Sequence, residues 1–134
     1  MDERSFYAAV AQRVGLSKEE AADLSRATLD TIAGQISDGE LERLEVTSPG
    51  WLSANLPRHD GAAHPMALTE FVGQVSRRTG LNEDETRRGV AAVLAVMREA
   101  ADPTHWEHAL SLLTKDYREL GSAQRPGSPP KRST

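Results

Sequence analysis

The chain repeats itself at a distance of 65 residues, and this repeat constrains its fold more than any other feature. Phe6, Val10, Arg13, Gly15, Leu16, Glu20, Ala27, Leu29 and Glu42 recur as Phe71, Val75, Arg78, Gly80, Leu81, Glu85, Ala92, Leu94 and Glu107. These are 9 identities over the 40 positions from Ser5 to Leu44, without a gap. The repeated residues are core apolars, a helix stop and a helix start. They describe how the chain folds, not what reaction it runs.

Each unit reads as three helices. The first runs from about Asp2 to Val14, with Phe6, Val10 and Val14 at four-residue spacing. Its copy runs from about Leu68 to Thr79, with Leu68, Phe71, Val72 and Val75 on one face. Both end at Gly-Leu. Glycine past a helix end takes the left-handed conformation without steric cost, and the leucine can pack back on the last turn. The second helices follow at once. Ser17 with Glu20, and Asn82 with Glu85, fit reciprocal capping boxes. The first of these helices extends to about Ile36, with Leu29, Ile32, Ala33 and Ile36 as its stripe. Its copy, with Val90, Val93, Leu94, Val96, Met97 and Ala101, is apolar over more of its circumference and is expected at the centre.

The third helices open at Ser37 with Glu40, again a capping box, and at Asp102-Pro103, an acidic cap with proline at the first helical position. Trp106, Ala109, Leu110, Leu113, Tyr117 and Leu120 read as the stripe of one last helix. Its counterpart has Leu41 and Leu44 before Val46-Thr47-Ser48-Pro49-Gly50 ends it, with Trp51, Leu52 and Leu56 in a short extra turn. A Pro/Gly/His linker joins the units. The expected fold is all-α: a six-helix bundle of two three-helix repeats with approximate internal twofold symmetry. Repeat one spans residues 2–56, the linker 57–67 and repeat two 68–120. The Pro/Ser/Gly-rich segment 121–134 is expected to be disordered.

Composition narrows the function. There is no cysteine, which excludes disulfides, thiolate catalysis and cysteine-based zinc sites. The net charge is −4, and segment 121–134 holds Arg125, Lys131 and Arg132 and no acid, so the body carries −7. An acidic body repels nucleic acid. The N-terminus lacks the basic-then-apolar pattern of a signal peptide, and no apolar run approaches the roughly 18 residues of a membrane span. A cytoplasmic location is expected, with no membrane or nucleic-acid partner and no cofactor.

The sequence holds no coherent catalytic motif. There is no Gly-x-Ser-x-Gly elbow and no phosphate-binding glycine loop. His105 and His108 lie three apart on the last helix, a spacing that can present two nitrogens to one metal; the competing reading is two solvated histidines in a first helical turn. His59-Asp60 lacks the further His and Asp residues of a metal-dependent phosphohydrolase. Arg13 and Arg78 read either as a symmetric anion site or, better, as cations near the last carbonyls of their helices. Arg77-Arg78 and Arg87-Arg88 are separated by Glu83, Asp84 and Glu85, which favours a charge-laced surface over a basic patch.

The pattern Phe71-x3-Val75-x2-Arg78-x-Gly80-Leu81, a long Ala/Val/Leu helix, and Leu113-Thr114-Lys115-Asp116-Tyr117-Arg118-Glu119-Leu120 resembles a bacterial family catalogued as domain of unknown function 2267, over about residues 3 to 120. The resemblance implies a small, duplicated, all-helical bacterial protein and carries no catalytic residues with it. Thr114 stands where that family commonly has proline before Lys-Asp-Tyr. The combined reading is a non-enzymatic helical protein-interaction or scaffold module that binds another protein or itself. Trp51, Lys115, Tyr117 and Arg118 are the interaction candidates. The alternative is a small-molecule or metal-binding protein, an enzyme included, with a pocket between the two repeats.

Overall fold

A computed structural model describes residues 1–59, 61–101, 103–111, 113 and 115–122. The proposed cap at Asp102, the acid Asp60, the Thr114 substitution and most of the expected tail, 123–134, lie outside the described residues. Those residues are all-helical, with no strand among them. The helices are α1 (Glu3–Val14), α2 (Lys18–Ala33), α3 (Asp38–Thr47), α4 (Gly50–Ala54), α5 (Leu68–Thr79), α6 (Glu83–Ala100), α7 (Pro103–Ser111) and α8 (Lys115–Ser122). Their starts fall in phase. Glu3 and Leu68, Lys18 and Glu83, Asp38 and Pro103, Gly50 and Lys115 open the paired helices, and each pair is 65 residues apart.

The helix stops and starts follow local chemistry. Gly15 and Gly80 sit at φ 71° and 79°, left-handed as the Gly-Leu stops require. Leu16 N–H then donates to Ala11 O at 3.2 Å, the long bond of a Schellman stop. At the copy, Leu81 N–H turns instead to Thr79 Oγ1 at 3.3 Å. Both capping boxes close: Glu20 N–H donates to Ser17 Oγ at 3.1 Å and Ser17 N–H to Glu20 Oε1 at 3.0 Å, and Asn82 and Glu85 exchange the same bonds. At Ser37 only half the box forms. Glu40 N–H reaches Ser37 Oγ at 3.3 Å, but the Glu40 carboxylate accepts from Arg43 at 3.1 Å and lies 3.6 Å from His108 Nε2. A guanidinium one turn along outcompetes a backbone amide for a carboxylate.

Two expected boundaries move. The second helix ends at Ala33 rather than Ile36, because Gln35 and Ile36 N–H bond to Ile32 O and Ala33 O, the tighter three-residue pattern that closes a helix. The last helix, expected as continuous, is two helices. Leu113 N–H donates to Leu110 O at 3.0 Å, again a closing turn, and α8 starts afresh at Lys115 and runs through Ser122. The described chain therefore has eight helices where six were expected.

The core sits around α6, which packs on α1, α2, α5, α7 and α8. Its residues Val90 to Met97 are all buried, as its all-round apolar surface requires. The first helix of each repeat packs on the second helix of the other: α1 on α6, and α5 on α2. Where α2 crosses α6, Leu24 faces Gly89, its own counterpart 65 residues on; a Cβ on Gly89 would lie 2.4 Å from Leu24 Cδ2. The glycine makes room for the leucine, so the helices approach closely with one large and one absent side chain.

Ion pairs also cross between the repeats. Arg13 Nη2 meets Glu99 Oε2 at 2.6 Å and Arg78 Nη1 meets Asp30 Oδ2 at 2.7 Å. The twin arginines sit in the last turns of α1 and α5, as the helix-end reading has it, and each also answers a carboxylate of the opposite repeat, which argues against an open anion site. The linker is tied across the α2–α3 junction. His64 N–H donates to Gly34 O at 2.9 Å, Met66 N–H to Gln35 Oε1 at 3.0 Å, and His59 N–H to Asp38 Oδ1 at 3.0 Å.

Candidate interaction site

Two corners of the bundle, one in each repeat, hold the aromatic and charged residues that the sequence singles out. In repeat one, Trp51 is the second residue of α4. Its ring meets Phe6 edge-on with centroids 5.1 Å apart, and Tyr7 at 6.4 Å. Its Nε1–H donates to the Met1 carbonyl at 3.0 Å. In repeat two, Tyr117 meets Phe71 edge-on at 5.4 Å and its hydroxyl donates to the Met66 carbonyl at 2.7 Å.

The two corners are the same latch. Met1 and Met66 are 65 apart, as are Phe6 and Phe71, but Trp51 and Tyr117 are 66 apart. An aromatic ring with a polar tip pins the start of the repeat's first helix to its fourth, using neighbouring rather than equivalent positions. Such residues suit the task because the ring buries area while its one donor finds a partner. Tyr117 is fully buried and Trp51 half-buried. Burial pushes the Tyr117 hydroxyl above its ordinary value. Tyr7, beside Trp51, is pushed up to about 12, first by burial and then by donating to Glu3 Oε2 at 2.6 Å. The Arg26 guanidinium lies over the Tyr7 ring, 5.3 Å from its centroid.

A surface cleft lies near the latch of repeat two. Trp51's true counterpart is Asp116, second residue of α8 and exposed. Beside it a cleft of about 420 Å³ opens between α5, α6 and α8, lined by Leu68, Thr69, Arg87, Asp116, Glu119 and Leu120. That volume falls in the range of about 300–1,000 Å³ common to ligand clefts. Leu68 is buried and Leu120 half-buried, giving apolar ground. Lys115 Nζ stands 3.6 Å from Glu119 Oε1. Arg87 and Asp116 have no ion-pair partner among the described residues.

The other candidates are placed as follows. Lys115 is exposed beside the cleft, and the Arg118 side chain lies outside the described residues. His108 projects from α7 toward Glu40, 3.6 Å away and half-exposed, with His105 one turn earlier. Among the described residues no three His, Asp or Glu side chains converge as metal ligands. His59 Nε2 lies 2.7 Å from Ile36 O, which ties the linker down. Of the arginine cluster, Arg78 pairs with Asp30 and Arg88 with Asp84 at 3.2 Å. The sequence offers Arg87 only as part of a charge-laced arginine cluster and Leu68 only as a core residue, and it does not single out Thr69.

The described residues form an all-helical protein in which α2 and α6 pack on each other. A family model described as an uncharacterized conserved protein (DUF2267) matches residues 3–120, and the chain belongs to that family. No curated protein matches the chain. No described helix is long and apolar enough to cross a membrane.

Proposed function

We propose that the bundle is a non-enzymatic helical module that binds another polypeptide through the α8 corner of repeat two, and that its repeats are related by an approximate internal twofold axis. The symmetry reading draws on the 65-residue phase of every helix start and on the meeting of Leu24 with its counterpart Gly89. An axis of this kind passes where equivalent residues face each other.

The binding reading rests on the contrast between the corners. Repeat one closes its corner with its own Trp51, bonded to Met1 O. Repeat two closes the equivalent place with Tyr117, bonded to Met66 O, and beside it has a cleft edged by Arg87, Asp116 and Glu119 over Leu68 and Leu120. Apolar ground rimmed by charge is the composition of a recognition surface, where the charges set orientation and the apolar centre supplies affinity. Lys115, Asp116 and Glu119 would set that orientation; Trp51 and Tyr117 would hold the corners in shape.

The test compares the intact protein with an Asp116→Lys/Glu119→Lys variant. Light scattering and co-purification from the native cell should yield a heavier species or a bound protein that the variant loses. A strict monomer with no co-purifying protein, or capture unchanged in the variant, would overturn the reading.

A further inference from the structure

We infer that the linker between the repeats carries a divalent transition-metal site built on His59 and His64. The site is separate from the α8 corner and from whatever binds there. The tautomer of His59 is the first ground. Its Nε2 lies 2.7 Å from the Ile36 carbonyl oxygen, which only accepts, so Nε2 carries the proton and Nδ1 is the basic nitrogen. Histidines that ligate metals are set in this way. The second ring N–H is given to a carbonyl or carboxylate, which fixes the ring and makes the ligating nitrogen more basic. Asp38 reinforces the setting, with Oδ1 at 3.5 Å from His59 Nε2 and 3.0 Å from the His59 amide nitrogen.

The His64 ring is the second ligand. The two ring centroids are 5.8 Å apart, with the planes at 56°. Imidazoles bound to one ion through bonds of about 2.0–2.1 Å stand with their centroids roughly 5–6 Å apart at tetrahedral or wider angles. The backbone holds both rings to the α2–α3 junction. His64 N–H donates to Gly34 O at 2.9 Å, and between the histidines Gly61 O accepts from Asp38 N–H at 3.2 Å. The His59 side chain is 20% exposed, so little rotamer freedom is lost on binding. The local charge favours a cation: Asp38 stands beside His59, and the neighbouring Arg58 guanidinium is engaged by Glu42 and Glu45. Two neutral imidazoles select an ion of the zinc, nickel or copper type over magnesium or calcium, which take oxygen ligands. Water completes the coordination, since no third His, Asp or Glu side chain among the described residues converges there. The bound ion fastens the crossing from repeat one to repeat two against the end of α2.

The experiment titrates zinc chloride into the metal-free full chain by calorimetry near neutral pH, with the histidine ring protons followed by NMR. One ion per chain is expected, with shifts at His59 and His64. His64 is exposed and holds Gly34 through its backbone, so His64→Gln keeps the fold. That variant should bind at least about tenfold more weakly. A His105→Gln/His108→Gln protein should bind as the parent does. Zinc should raise the urea midpoint of the parent and leave that of His64→Gln unmoved. Lowering the pH to about 5 should abolish binding as protons occupy both rings. No binding at millimolar zinc, equal binding by His64→Gln, or shifts at His105 and His108 in place of the linker pair would overturn the site.

Discussion

A methyl group added at Gly89 should destabilise the protein in one background and stabilise it in another. The added Cβ would lie 2.4 Å from Leu24 Cδ2 and 3.1 Å from Cδ1. Leu24 is fully buried, so its isobutyl group has no solvent into which to swing. Replacing glycine by alanine inside a helix contributes about 1 kcal/mol through propensity. Overpacking a filled core costs about 1–3 kcal/mol. Crowding wins by these magnitudes, and Gly89→Ala should lose about 1 kcal/mol net. Leu24→Ala alone should cost about 2–5 kcal/mol through lost burial and a cavity. With the leucine gone, the methyl on residue 89 meets no crowding carbon and fills part of the cavity. In that background Gly89→Ala should gain about 1 kcal/mol. Urea denaturation of the four proteins, with slopes checked for constancy, gives the cycle. A Gly89→Ala gain of equal size in both backgrounds would refute the claim that α2 and α6 approach closely at this pair.

The remaining expectations concern single groups. Thr28→Val should raise stability by about 1 kcal/mol by removing a fully buried hydroxyl that has no hydrogen-bond partner among the described residues; repeat two carries Val93 at the equivalent place. Gly80→Ala should cost about 1–2 kcal/mol in the same assay, because φ there is 79° and a Cβ is strained in that region, though nothing crowds it. Tyr117→Phe should cost about 1–2 kcal/mol by leaving the Met66 carbonyl without its donor, read as a lowered denaturation midpoint. The Tyr7 hydroxyl titrates near 12 in the fold against 10 in the open chain. Its contribution is present below pH 10 and lost as pH rises toward 12, so stability should fall across that window, and less so in Tyr7→Phe.

Much of the fold was legible in the chain because it is encoded locally. A glycine able to take a positive φ at residues 15 and 80, and a Ser or Asn three residues before a glutamate, state where helices stop and start without reference to distant parts of the chain. The gap-free repeat carries those signals over in phase, and the apolar circumference of α6 marks it as central. The break between α7 and α8 was masked by an unbroken helical stripe from Trp106 to Leu120. Only comparison with Pro49-Gly50 in repeat one would have exposed it.

What the sequence determines by itself is the punctuation and facing of the helices, since caps, turns and apolar stripes act within a few residues. What the tertiary structure decided is which residues meet. Arg13 and Arg78 found carboxylates in the opposite repeat, Leu24 found Gly89, and Trp51 and Tyr117 became matching latches from positions one residue out of step. Such pairings depend on distance and angle between segments remote in the chain, and no local pattern of residue types encodes them.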